Sequence, residues 1–399
     1  MSPFGREGLR PKLRRDPSTA HHRTTQRQLE SGVCTFIDKE TIMEKGKRLF
    51  ASLALLLLTF LTTGIVPAGA DTGMKNVLIN GNMDIAQRGT SINPVSDATY
   101  VLDRFAFIGI SSGAVTQASS VAPSGSRNYM TVNSKSSNNQ NGIVQIVESV
   151  NSAGLIGQNS VLSFQARTVS NVNNQISNLR AAGLCWVGTA DTVTRDVVGT
   201  WKSDGVNPIW ATNWSLSSTP VNLALTNSWQ KFTISDIKFN SDCANIAVVI
   251  WVDDGTLGAS DEWDITQVQL EAGAVATDFE QRSIGAELLL AQRYYEKGMG
   301  QSDIPGITPV VGWESTASGA TTQWWVGFAV LKRGTTSVRI WSSVNPFPSG
   351  ISKLWNATAT VDVAGYALVQ KQNGFVMYVD GAGISGNQYS ASWDADSEL

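Results

Sequence analysis

Beyond residue 70 the chain consists of short β-branched and aromatic runs cut by turn formers, and helical periodicity does not begin until Ile284. The runs include VLDRFAFIG (101–109), IVQIVES (143–149), SVLSFQAR (160–167), AAGLCWVG (181–188), WQKFTISD (229–236), NIAVVIWV (245–252) and WDITQVQL (263–270). Val, Ile, Phe and Trp suit a pleated, half-buried surface, and the Gly, Asn, Ser and Asp separators suit turns. Strands of this kind joined by irregular loops predict an all-β fold, with a jelly-roll-type antiparallel β-sandwich over residues 71–283. One run resists a simple phase. In WDITQVQL neither the set Trp263, Ile265, Gln267, Gln269 nor the set Asp264, Thr266, Val268, Leu270 is cleanly apolar.

Residues 284–308 read as a linker, in which AELLLAQRYY (286–295) suits a short helix or the start of another strand. Residues 309–399 read as a second, smaller β-rich domain. In TTQWWVGFAVLKR both alternating sets are apolar, so the strand is expected to be central or at a subunit interface. YALVQKQNGFVMYVDG reads as a hairpin turning at Asn373-Gly374. Two-faced strands in so small a domain predict a homo-oligomer.

The amino-terminal part has a different character. MEKGKRLF (43–50) is basic, ASLALLLLTFLTTGI (51–65) is uncharged and shorter than the ~20 apolar residues a spanning helix needs, and VPAGAD (66–71) supplies small residues. These are the parts of a secretory signal peptide over 43–70, with residues 1–42 a basic extension outside the fold. An uncleaved anchor is the other reading; cleavage leaves no stable membrane span.

Composition narrows the chemistry. Both histidines, His21 and His22, precede residue 70, and only Cys185 and Cys243 follow it. A Ser-His-Asp triad, a Cys-His pair and the usual zinc sites are therefore excluded from the main body. Nineteen Lys/Arg against 27 Asp/Glu after residue 70 argue against nucleic acid as a partner. Export would permit a Cys185–Cys243 disulfide; two separate buried thiols are the alternative. No Asp/Glu pair is singled out for glycosidase chemistry, so the expectation is a non-enzymatic protein. Trp201, Trp210 and Trp214 lie in a polar stretch, where aromatic rings beside Asn and Asp either contact a sugar or cap the core. Asp253, Asp254 and Asp261 crowd two neighbouring stretches. They read as weak calcium ligands or as a solvated acidic loop, and no other cofactor is implied.

Three segments resemble a two-part module of phage and prophage tail-fibre proteins: NVLINGNMDIAQRGTS (76–91) with YVLDRF (100–105); SWQKFTISD (228–236) with WDITQVQLEAGAVATDFEQRSIGAELLLAQRYYEK (263–297); and FAVLKRGTTSVRIWSS (328–343), GFVMYVDG (374–381) and YSASWDADSEL (389–399). The resemblance implies a first domain like the sandwich of carbohydrate-binding modules and a small β-rich tip. It also implies a structural or receptor-binding role, commonly in a trimer. Its motif residues Asn80, Asp84, Arg88, Asp103, Arg104, Glu271 and Phe279 are then structural. Gly81 between two asparagines fits a positive-φ turn, and Asp103-Arg104 fits a brace pairing with Arg88 or Glu271. The function expected is a tail-fibre-like protein recognising a cell-surface polysaccharide or receptor, virion-associated or extracellular. A secreted bacterial carbohydrate-binding protein is the alternative, and a glycan hydrolase the third reading.

Overall fold

The computed structural model describes residues 74–135, 140–169, 176–202, 205–253, 257–298, 311–314, 322–342, 353–356, 361–379 and 388–399. The signal segment and Asp254 lie outside them. The strands up to residue 272 are β1 (Ser91–Val95), β2 (Thr99–Tyr100), β3 (Ala106–Gly109), β4 (Gly113–Ala118), β5 (Tyr129–Ser134), β6 (Asn141–Val147), β7 (Asn159–Thr168), β8 (Asn178–Trp186), β9 (Val198–Thr200), β10 (Ile209–Trp210), β11 (Trp214–Leu216), β12 (Leu223–Ala224), β13 (Gln230–Lys238), β14 (Asn245–Val252) and β15 (Glu262–Ala272), with one helical turn, α1 (Ser149–Ser152), after β6. They form a jelly-roll-type sandwich of antiparallel sheets. Sheet I has the order β1-β4-β5-β15-β7-β13 and sheet II the order β11-β8-β14-β6-β3-β2, with β12 also on β8.

The main core lies between the sheets, where Phe107, Val132, Phe164, Ile250, Trp263, Ile265, Val268 and Leu270 are almost fully enclosed. Each such side chain stabilises by about 1.5–3 kcal/mol on burial. A β-bulge resolves the ambiguous phase of WDITQVQL. Gln267 takes φ 54°, and the pairing with β7 slips between Thr266 and Gln269. Trp263 and Ile265 point inward before the slip, Val268 and Leu270 after it.

Sheet II is apolar on both faces. Alternate residues of β14 (Ala247, Val249 and Trp251) leave the main core for a second cluster with Ile108, Ile146, Leu184 and Trp186. The segment around Val193, Val197, Trp201, Trp210 and Trp214 covers this cluster, together with Leu399. Sheet I is covered in part: its outward Asp264, Thr266 and Gln269 are almost fully buried, and Gln267 and Gln269 bond to the loop at Ser124 and Ser126 and to the turn at Thr277 and Asp278. Its outward positions are mostly polar, with Tyr129 and Val161 among them.

The remaining elements are α2 (Ile284–Gln292), β16 (Tyr295–Lys297), β17 (Val311–Glu314), β18 (Thr322–Gly327), β19 (Ser337–Ser342), β20 (Lys353–Asn356), β21 (Val361–Lys371), β22 (Gly374–Val379) and β23 (Gln388–Asp396). The segment from 284 is thus a helix and then a strand. The helix starts at Ser283, whose hydroxyl accepts from the Ala286 N–H. The strands form one smaller sheet, ordered β16-β23-β20-β21-β22-β18, with β17 and β19 on β23. Phe328, Phe375 and Trp393 centre its core, with ring centroids 5.4–5.9 Å apart.

Two expectations for this sheet need correction. Lys371 pairs with Gly374, so the hairpin turns at Gln372-Asn373. β18 is an edge strand rather than a central one, paired only with β22 among the described residues. Trp324 and Val326 face the core. On the opposite face Trp325 is 52% exposed and leans over Gly374, where a Cβ would stand 2.5 Å from its indole.

Candidate functional site

The amino-terminal motif folds around Asn80. Its amide donates to the carbonyls of Ile85 (2.8 Å) and Asp103 (3.0 Å), its carbonyl oxygen accepts from Ile85 N (2.8 Å), and its backbone N–H donates to Glu287. The positive φ in this turn belongs to Asn80 (62°) and Met83 (59°). Gly81 is required for a different reason than φ: a Cβ there would stand 2.1 Å from the Val268 carbonyl oxygen and 3.2 Å from the Phe279 ring. Half-buried Asp84 accepts from the amides of Asn82 (3.0 Å) and Asn128 (2.8 Å).

Asp103 and Arg104 join different partners. Asp103 is 4.0 Å from Arg88 and accepts from the Gln87 backbone and side chain, both at 2.6 Å. Burial nonetheless pushes its carboxyl above the usual range, against the pull of Arg88. Arg104 pairs with Glu398, not Glu271, and lies 3.6 Å from the centre of the Tyr294 ring. Arg88 stacks 3.7 Å from the Tyr295 ring centre and pairs with Asp396 at 3.3 Å. Glu271 instead accepts from Gln269 and from the Thr277 N–H and hydroxyl, closing the turn after β15.

The three loop tryptophans sit on the second apolar face of sheet II. Trp214 is 5% exposed and packs 5.2 Å from Trp186; its indole N–H donates to Thr194 O at 2.9 Å. Trp210 meets Trp251 edge-on at 5.6 Å, and Trp201 is half-buried against the same cluster. Cys185 and Cys243 form a disulfide that ties β8 to the turn before β14, with Cα atoms 5.2 Å apart. Asp253 is buried against Arg180 at 3.2 Å, and Asp261 accepts from Gly258 N at 2.6 Å. Among the described residues, Cys185, Asp242 and Cys243 form the one grouping close enough for a metal. Its two sulfurs are bonded to each other.

A different constellation lies on the outward face of sheet I. Strand register aligns Ser91, Thr116, Thr131, Asp264 and Arg167 in one row across β1, β4, β5, β15 and β7. Trp229, just before β13, extends the row. Asp264 accepts from the Thr131 hydroxyl (2.6 Å) and from Arg167 Nε (2.8 Å), with Arg167 Nη2 at 2.7 Å. The Arg167 guanidinium is 5.1 Å from the Trp229 ring centre and 5.7 Å from that of Tyr129. Those two rings meet edge-on at 5.4 Å, and the Trp229 indole donates to Val121 O at 2.6 Å. Burial is the largest influence on Asp264 and raises its pKa, opposed by Thr131 and Arg167. Gln165, Lys231 and Thr266 form the next row. The face therefore combines a fixed aromatic wall with a line of oriented donors and acceptors. Trp229, inside a strand run, reads from sequence as core or interface. The polar phase of SFQAR and WDITQ was the available signal for the rest.

Neither family models nor curated proteins match this chain. Solved structures similar to half of it include the enzymatically active domain of tailspike protein 4 from bacteriophage CBA120 (10% identity, 50% of this chain, TM-score 0.30). The match spans about a fifth, 21%, of that chain. Others are TmCBM61 in complex with β-1,4-galactotriose (13% identity, 50% of this chain and 100% of that one, TM-score 0.28) and the CBM22-1 xylan-binding domain of Paenibacillus barcinonensis Xyn10C (10%, 51% and 100%, TM-score 0.30). Likenesses this distant do not bear on function.

Proposed function

We propose that this chain is a secreted, non-enzymatic carbohydrate-recognition protein that holds a polysaccharide against the outer face of sheet I. The row Thr116–Thr131–Asp264–Arg167–Trp229 carries this reading. An indole offers a flat apolar wall to sugar C–H groups, and the polar groups beside it are held by the sheet. Asp264 is committed to Thr131 and Arg167, which suits orientation of Arg167 rather than nucleophilic attack. The Cys185–Cys243 disulfide supports an oxidising compartment.

Affinity electrophoresis through gels containing xylan, galactan or mixed-linkage glucan tests the reading. At least one polysaccharide is expected to retard the protein, and Trp229→Ala or Arg167→Ala to weaken retardation about tenfold. Retardation lost in Trp210→Ala but kept in Trp229→Ala would move the site to the loop tryptophans. No retardation in any gel, or release of reducing sugar, would count against the proposal.

A tail-fibre role at a cell surface is the second reading, favoured by the resemblance over residues 267–295. It calls for a homo-oligomer, such as a trimer, by light scattering; a monomer would oppose it.

A further inference from the structure

We infer that a second sugar site, taking the vicinal diol of a neutral hexose, lies in the cleft lined by Asp84, Gln117, Arg127, Asn128 and Ile284. This cleft encloses about 350 Å³, within the range of small-molecule sites. Its ligand class rests on the same glycan-recognition reading, but it shares no residue with the Asp264–Arg167–Trp229 row.

The chemistry starts at Asp84. One carboxylate oxygen accepts from Asn82 Nδ2 (3.0 Å) and the other from Asn128 Nδ2 (2.8 Å). The Asn82 carbonyl oxygen in turn accepts from the Ser126 hydroxyl at 2.6 Å. These bonds fix the carboxylate plane and use one lone pair on each oxygen. A second acceptor position remains on both. Two acceptors on one rigid carboxylate match two adjacent hydroxyls, which donate in parallel as charge-assisted bonds.

The rest of the lining complements a sugar ring. Arg127 is exposed and pairs with no carboxylate among the described residues, so its guanidinium is available to donate to a third sugar oxygen. Gln117 is tethered by its amide to Met83 O at 2.6 Å. Ile284, 57% exposed, gives the cleft an apolar side for the C–H face. Asp84 disfavours a uronate, because the ligand's carboxylate would approach a fixed negative charge.

The test is titration calorimetry and saturation-transfer NMR on the full chain, with the methyl glycosides of glucose, galactose and mannose, and with glucuronate. At least one neutral glycoside is expected to bind wild type and Trp229→Ala equally. Asp84→Asn is expected to weaken it about tenfold, and Arg127→Gln by a smaller but measurable factor. Should Asp84→Asn lose its near-ultraviolet circular dichroism, the exposed Arg127→Gln decides the matter. The proposal is overturned if no glycoside binds, if glucuronate binds more tightly than the neutral sugars, or if binding vanishes in Trp229→Ala and persists in Asp84→Asn. Polysaccharide retardation that survives Asp84→Asn and Arg127→Gln, with no glycoside bound by any variant, would leave the sheet I reading standing and the cleft proposal refuted.

Discussion

Arg104 and Glu398, 294 positions apart, form an ion pair in which only 1% and 2% of the two side chains are exposed. Arg104 also donates to Ile146 O in β6, and next to Glu398 the carbonyl of Leu399 accepts from the Tyr100 hydroxyl at 3.0 Å. The last residues of the chain thereby hold the small sheet to the sandwich. Glu398→Ala strands a buried guanidinium and is expected to destabilise by about 3–5 kcal/mol. Arg104→Met combined with Glu398→Leu should cost less than the single change. Urea denaturation of the three proteins checks the ranking; a single change that costs no more than a surface substitution would refute the clamp.

The disulfide offers a separate test. It closes a sequence separation of 58 residues, for which chain-entropy reasoning gives about 4 kcal/mol. Cys185→Ala with Cys243→Ala should lower the urea midpoint accordingly, and reductant should move wild type toward the double variant but leave that variant unchanged. Equal midpoints with and without reductant in wild type would mean that the bond adds no stability.

How far these relations can be read from sequence depends on the range of the interaction. The strand runs declare themselves because β-branched alternation is local. The phase of WDITQVQL does not, because the bulge at Gln267 depends on how β7 and the loop at Gly81 pack on β15. Trp210 and Trp214 stand in a polar stretch that leaves sugar contact and a cap on the core both open. The second apolar face of sheet II, visible in the unbroken run NIAVVIWV, draws that stretch down upon it. Each strand of sheet I shows its own polar phase. The alignment of Thr131, Asp264 and Arg167 is set by register between segments 97 and 133 residues apart, which no local pattern encodes. The Arg104–Glu398 pair is further still from local reading.

Gly81→Ala probes the contact between the amino-terminal turn and β15. The added Cβ meets the Val268 carbonyl oxygen at 2.1 Å, and the N–H of the same residue donates to Gly81 O at 2.9 Å. Backbone cannot rotate aside as a side chain can, so the turn must lift from the sheet. A loss of about 1–3 kcal/mol is expected, read as a lower melting temperature. A melting temperature equal to wild type would show that the turn is not pinned there.

Asp264 gives stability a pH dependence of definite sign. Its folded pKa is raised above the usual 3.8, chiefly by burial. The folded protein therefore binds more protons than the unfolded chain between 3.8 and the folded value. The associated stability is fully present below 3.8 and is lost as pH rises through the folded pKa. Wild-type stability relative to Asp264→Asn should fall with rising pH across that window and level off above it. Arg167→Ala removes a charge that holds the Asp264 pKa down, so the window should widen upward. Urea denaturation at closely spaced pH values, with carboxyl-detected NMR on Asp264, measures both effects. A relative stability that rises with pH would mean that Arg167 outweighs burial and that the pair on the proposed sugar-binding face is ionised throughout.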